Sequence, residues 1–282
     1  MIAASVSAVR IKKINDKKIF YEDDLLASEE PLEIRLGFGA IDEREQKNIS
    51  ITMRTPGNDF ELALGFLFSE GIINNFHDVK HIRYCTDENR NENKENIVRA
   101  ELDESILPDL KKLERNFYTS SSCGVCGKAS IDSVKTICER PSINDNLILD
   151  AGIIIQLPEH LRKQQNIFEH TGGLHASALF DLNGKLIFIR EDIGRHNALD
   201  KLIGAALASG MIPLANHILL LSGRASFELI QKAAMAGINM VAAVGAPSSL
   251  AVQLAKEFNI TLIGFLRNER FNIYSGEQRI II

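Results

Sequence analysis

From residue 175 to residue 267 the chain keeps returning to one order: a short apolar run, a polar or glycine-marked break, then a stretch of helical spacing. The apolar runs are HILLLS (217–222), NMVAAVG (239–245) and ITLIGFL (260–266). Helical spacing covers 196–209, 226–236 and 248–258, the first two closed by Gly210 and Gly237. Strands and helices alternating at these lengths bury both faces of a sheet when helices lie on each side of it. A three-layer α/β/α arrangement is therefore predicted. Just ahead, HASALFDL and KLIFIRED flank Asn183-Gly184, a strong two-residue hairpin signal. Ser248 or Ser249, after Pro247, is a ready helix cap.

The earlier residues read differently. ISITMRT alternates like a strand and stops at Pro56-Gly57; Asn58 or Asp59 then caps a helix carrying Leu62, Phe66 and Leu67, ended by Gly71. Strands are expected around 31–36, 49–54, 80–85 and 97–102, and a polar loop or hairpin tip at 86–96. This predicts a smaller α+β domain over 1–118, followed by the α/β/α domain over 119–282. The formal net charge is −5, with the acidic excess in residues 1–118, so the chain as a whole is no electrostatic binder of nucleic acid. No apolar run approaches the roughly 20 residues that cross a bilayer. The N-terminus has its positive charges after a serine-broken apolar stretch, unlike a secretory signal. Four cysteines are too few for a disulfide scaffold, so a reduced, cytoplasmic protein is expected.

The most pointed chemistry lies in SSCGVCGKASID, where Cys123 and Cys126 form a C-x-x-C in a Gly/Ser loop that feeds a predicted helix start, with Lys128 beside them. A helix N-terminus and a lysine both favour the thiolate, which is the nucleophile and the metal ligand. A structural zinc would need two further ligands, and no second C-x-x-C or H-x₃-H exists. A dithiol oxidoreductase would place the pair after the first strand of a βαβ unit, which does not precede it here. A sulfur carrier needs one activated cysteine on a loop, and that use fits. Solitary Cys85 and Cys138 read as packing residues.

Three further segments carry polar groups. TGGLHAS supplies Gly172, Gly173 and His175; it echoes the H-x-E of zinc deaminases, but Ser177 stands where their proton-shuttling glutamate would be. REDIGRHNALDK gathers Glu191, Asp192, Arg195, His196, Asn197, Asp200 and Lys201 at a strand end, and can build a polar pocket. The strand-end loops LSGRAS (Ser222, Gly223, Arg224), GAPSS and GFLRNERFNIY (Arg267, Arg270) suit a phosphate-bearing ligand, through helix N–H groups and planar guanidinium contacts.

Taken together, MRTPGNDFELALGFLFSEGII, SSCGVCG, TGGLHASALF, REDIGRHNALDKLIGA, LSGRASFELIQKAAMAGI, GAPSSLAVQLA and GFLRNERFNIYS resemble the formate dehydrogenase accessory sulfurtransferases, almost end to end. The resemblance implies a cytidine-deaminase-like C-terminal domain without deaminase chemistry, a smaller N-terminal domain, and a homodimer that takes sulfur from a cysteine desulfurase. It implies that Cys123 bears the persulfide, with Cys126 assisting. The client would be formate dehydrogenase, and the cargo its molybdenum bis(molybdopterin guanine dinucleotide) cofactor. The family's dinucleotide segment falls on Phe265, Leu266, Arg267, Asn268, Glu269 and Arg270, and Asn268-Glu269 replace the small residues common there. Gly172, Gly173, His175, Arg195, Ser222 and Arg224 are expected to complete that site, with a guanine nucleotide as a mimic of the ligand and no zinc. A cofactor-binding chaperone without sulfur chemistry is the alternative.

Overall fold

The computed structural model describes residues 5–85, 95–108 and 147–282. Cys123, Cys126, Lys128 and Cys138, most of the polar stretch at 86–96, and the expected boundary at 118/119 lie outside the described residues.

The described chain opens with a hairpin, β1 (Val6–Asn15) and β2 (Lys18–Ala27), turning through Asp16 and Lys17 at positive φ. A four-stranded sheet follows, built from β3 (Glu30–Phe38), β4 (Glu45–Arg54), β5 (Val79–Tyr84) and β6 (Ile97–Leu102) in the order β4-β3-β6-β5. These are the strands the alternating pattern predicts. Helix α1 (Asp59–Ser69) starts where Pro56-Gly57 ends β4. Asn58 holds the cap position in left-handed backbone, but its side chain caps nothing. Asp59 is occupied instead by the buried Arg54, through bonds of 3.1 and 2.9 Å.

After the undescribed segment come β7 (Leu149–Asp150), α2 (Ala151–Arg162) and α3 (Asn166–Thr171). Asp150 caps α2 by accepting from the Gly152 amide at 2.6 Å. Then follow β8 (His175–Asp181), β9 (Leu186–Asp192), α4 (Arg195–Ala208), β10 (His217–Leu221), α5 (Phe227–Met235), β11 (Met240–Ala243), α6 (Ser249–Glu257), β12 (Thr261–Arg267) and β13 (Arg270–Ser275). The last described strand, β14 (Ile280–Ile281), pairs with β7.

Six of these strands make one sheet, in the order β13-β12-β11-β10-β8-β9. The period-two geometry of a strand sends neighbouring side chains to opposite faces. In β10, Ile218 and Leu220 join Ile154, Leu157 and Leu161 of α2, while Leu219 and Leu221 join the cluster filled by α4, α5 and α6. Helices thus cover both faces of the sheet.

The second of those clusters does not stop at the α/β part. It contains Leu36, Leu64, Leu67 and Phe68 from the first part together with Leu199, Ile203 and Leu229 from the second. Helices α1 and α4 cross at Gly65 and Gly204, where a Cβ on either glycine would run into a carbonyl oxygen of the other helix, Asp200 or Glu61. The missing side chains let the two backbones touch. Around this crossing Arg190 forks onto Glu61 at 2.5 and 2.7 Å, and buried Lys232 meets Asp200 at 2.8 and 2.9 Å.

Candidate functional site

Strands β10, β11 and β12 run parallel, so their carboxyl ends lie at one edge of the sheet. Strand β8 is antiparallel to β10 and β9 to β8, so β8 starts at that edge and β9 finishes there. His175 and Asp192 are accordingly register partners. In open α/β sheets this edge is where ligands bind.

The three loops leaving the parallel strands are bonded side by side. The Gly245 amide donates to the Gly223 carbonyl at 2.9 Å, and the Phe265 amide to the Gly245 carbonyl at 3.0 Å. Ala225 exchanges bonds with the Ala246 carbonyl and the Ser248 amide. Phe265 takes φ 55°, and Asn268 and Glu269 take φ 53° and 57°, which makes a two-residue turn between β12 and β13. Arg267 and Arg270 face each other across that turn, exposed to solvent, and Arg224 is exposed one loop away. Leu266 is buried and anchors the segment beneath.

Ser222 extends the β8 ladder: its hydroxyl accepts from the Ala176 amide at 2.8 Å, and its amide donates to the Ala176 carbonyl at 3.0 Å. That bond leaves the next residue, Gly223, directly beneath the His175 ring, with a Cβ position only 3.2 Å from Nδ1. A side chain at 223 would press on the imidazole. His175 is half-buried, and burial, followed by the nearby Arg195 and His196 charges, pushes its pKa below 6.5, against an opposing pull from Asp192. Arg195 opens α4, and its Nε is buried without a hydrogen-bond partner among the described residues. Next to it His196 Nε2 lies 3.4 Å from Ser226 Oγ and 3.8 Å from Glu228. The neighbouring His196 imidazole, followed by backbone and Ser226 donors, holds the Glu228 carboxyl down at about 2. Both partners approach the same imidazole nitrogen, so these three residues do not form a nucleophile–base–orienter relay.

The rest of REDIGRHNALDK turns away from the edge. Asp192 is fully buried, 2.7 Å from the Lys201 ammonium; it also accepts from the Thr55 amide at 3.2 Å, the Gly194 amide at 2.8 Å and Asn197 at 3.1 Å. Lys201 donates to the Thr55 carbonyl, and Asn197 to the Met53 carbonyl. Asp200 is taken up by Lys232 and Ser69. Glu191 caps α3 by accepting from the Ile167 and Phe168 amides. What looks in sequence like one pocket is therefore two things: a buried polar joint to β4, and Arg195 with His196 left at the edge. Sequence reasoning did not single out Glu228 and Thr55, although both lie in segments that carry the resemblance, because neither stands in a pattern of its own.

Gly172 is the left-handed C-cap of α3, and Gly173 lies beside Ala27 of β2, so the pair serves the turn into His175. Among the described residues no group of His, Cys, Asp and Glu could hold a metal ion, and no helix is long and apolar enough to cross a membrane. The edge offers three exposed guanidinium groups, a fourth that is partly buried, and two imidazoles. Such a set can bind a multiply charged anion.

The family model described as "FdhD/NarQ family" matches residues 27–281, which takes in every one of these edge residues. The chain belongs to the FdhD/NarQ family. Relatives named "Sulfur carrier protein FdhD" include one from Streptomyces avermitilis, 50% identical over 97% of this chain and 95% of its own length. One from Mycobacterium tuberculosis is 44% identical over 96% and 97%, and one from Sulfurisphaera tokodaii 41% identical over 98% and 99%. A crystal structure of a proposed formate dehydrogenase accessory protein from Desulfotalea psychrophila superposes with a TM-score of 0.73 at 24% identity, covering 98% of this chain and 100% of that one. At that identity the likeness speaks for the fold. The FdhD/NarQ fold thus places a basic, glycine-lined edge on the α/β sheet of this chain.

Proposed function

We propose that this member of the FdhD/NarQ family is a cytoplasmic sulfur carrier that serves formate dehydrogenase. Cys123 thiolate attacks the outer sulfur of a cysteine desulfurase persulfide. A new S–S bond forms on Cys123 as the donor's S–S bond breaks, and the donor cysteine leaves as thiolate. The outer sulfur then passes to the molybdenum of the bis(molybdopterin guanine dinucleotide) cofactor, bound as cargo at the strand-end edge: the S–S bond breaks, Cys123 leaves as thiolate, and the cargo's reduced metal gives the two electrons that take the sulfur to sulfide. Arg224, Arg267 and Arg270 meet its phosphates there, with Arg195 and His175 beneath and the 265–270 turn alongside; a guanine nucleotide mimics the dinucleotide. The sheet order, with β8 antiparallel between β9 and β10, supports a cytidine-deaminase-like layering in which the deaminase glutamate is replaced by Ser177. The working unit is a homodimer.

The observation that carries this reading is the near end-to-end identity, 40–50%, with proteins named as sulfur carriers. The test is peptide mapping by mass spectrometry after incubation with a cysteine desulfurase and cysteine. One added sulfur atom is expected on Cys123 and none anywhere in Cys123→Ser, which should also fail to activate formate dehydrogenase. Sulfur found only on Cys126, or full activation by Cys123→Ser, would overturn it.

A further inference from the structure

The β1–β2 hairpin is the one described element whose side chains find almost no cover. Ile14 is 70% exposed, Tyr21 63%, Ile19 55% and Phe20 46%, and Leu25 and Leu26 lie open nearer the base. No third strand joins the pair among the described residues. Only its base is held, by Ser5 donating to the Pro56 carbonyl at 2.8 Å, by the Ser7–Ser28 hydroxyl contact at 3.0 Å, and by α3 packing on β2. A lone two-stranded ribbon is marginal in water, and a flat, apolar edge is a template for another strand.

The charges say what that strand is. Two cross-strand ion pairs, Arg10–Asp23 and Lys13–Glu22, are satisfied within the hairpin. Lys18 and Asp24 make no ion pair among the described residues, Asp24 accepting only from the Leu25 amide and adding a minor pull on Lys13, and they stand on the same face of β2, three residues to either side of Tyr21. An antiparallel copy of β2, related by a two-fold axis through Tyr21, sets each residue three before the axis opposite the one three after it. Lys18 then faces the second copy's Asp24, and Asp24 the second copy's Lys18, while Tyr21 meets Tyr21. The β1 edge has no such match: about Ile11, Arg10 would face a second Lys12. Like charges directly opposite are destabilising.

We propose that the β2 edge is the surface on which two copies of this chain pair, antiparallel and centred on Tyr21. A two-fold contact of this kind is self-complementary, which the Lys18–Asp24 pairing satisfies and the all-basic charges of β1 do not, while Glu22 and Asp23, opposite Phe20 and Ile19, keep Lys13 and Arg10 as partners within the hairpin. This rests on the homodimer of the proposed function and adds where it forms.

Sedimentation equilibrium on the full chain tests it, with circular dichroism to confirm that each variant is folded. The unaltered protein should be dimeric. Lys18→Asp alone and Asp24→Lys alone each set two like-charged pairs across the axis and should weaken dimerisation roughly three- to tenfold. The double variant, Lys18→Asp with Asp24→Lys, restores opposite charges and should return to within about twofold of the original. A dimer indifferent to the single changes, or a double variant no better than either single one, would move the interface elsewhere and leave the homodimer standing. A monomeric unaltered protein would overturn both.

Discussion

His175 shows what a single residue contributes at the strand-end edge. Its ring rests on Gly223, with Arg195 and His196 close by, and burial together with those charges keeps it neutral more readily than a free imidazole. The consequence for stability has a definite sign. Below 6.5 the unfolded chain takes up a proton that folded His175 resists, so the native state is favoured above 6.5 and loses ground as pH falls towards the lowered native value. His217, which burial also pushes down, adds to the same trend. The urea midpoint of the protein should therefore drop between about pH 7.5 and pH 5, and by less in His175→Asn, whose side chain does not titrate there. An equal drop in both would mean that the ring does not resist its proton. The sequence showed the ionisable groups of 190–201 crowded at a strand end, and Arg195 and His196 are indeed there. It gave no sign that Asp192, Asn197 and Lys201 face inward, because their partners are Thr55 and the Met53 carbonyl, well over a hundred positions away.

Among the elements, the crossing of α1 and α4 is the tightest fit. Because a Cβ at Gly65 meets the Asp200 carbonyl, Gly65→Ala forces the helices apart, and overpacking of this kind costs about 1–3 kcal/mol. Chemical denaturation should show that loss, although alanine is the better helix former. A gain in stability would mean that the helices are not in contact there. The legible elements have a clean period and, in most cases, a glycine or proline at their ends: β3 to β6, β8 to β12, α1 and α4 to α6. Others were hidden for physical reasons. The strands of the β1–β2 hairpin mix apolar and charged residues on both faces, so no alternation marks a buried side. Helix α2 carries Pro158 in its interior, a residue that normally argues against a helix. Strand β13, RFNIYS, is mostly polar and read as a loop.

Viewed as a whole molecule, the two parts that differ so clearly in sequence are packed as one body. Their shared apolar cluster, the Arg190–Glu61 fork and the bonds of Asp192 and Lys201 to the Thr55 backbone all cross between them. Neither part keeps its apolar surface covered without the other, so urea unfolding should be a single transition. Circular dichroism, which follows the helices, and fluorescence of the tyrosines, of which Tyr21 and Tyr84 lie in the first part and Tyr274 in the second, should trace coincident curves. Separated curves would show that the parts hold together independently.

The segment from Glu191 to Lys201 faces both ways: one turn of it presents Arg195 and His196, and the next rivets α4 to β4 through Asp192, Asn197 and Lys201. A survey of every substitution in this stretch, scored by formate dehydrogenase activation alone, would find the rivet and the site equally intolerant. The amount of intact protein in the cell separates them. Variants of the rivet should be cleared as misfolded chains, because a buried charge left without its partner unfolds a protein, whereas variants of Arg195 should accumulate to normal levels and remain inert.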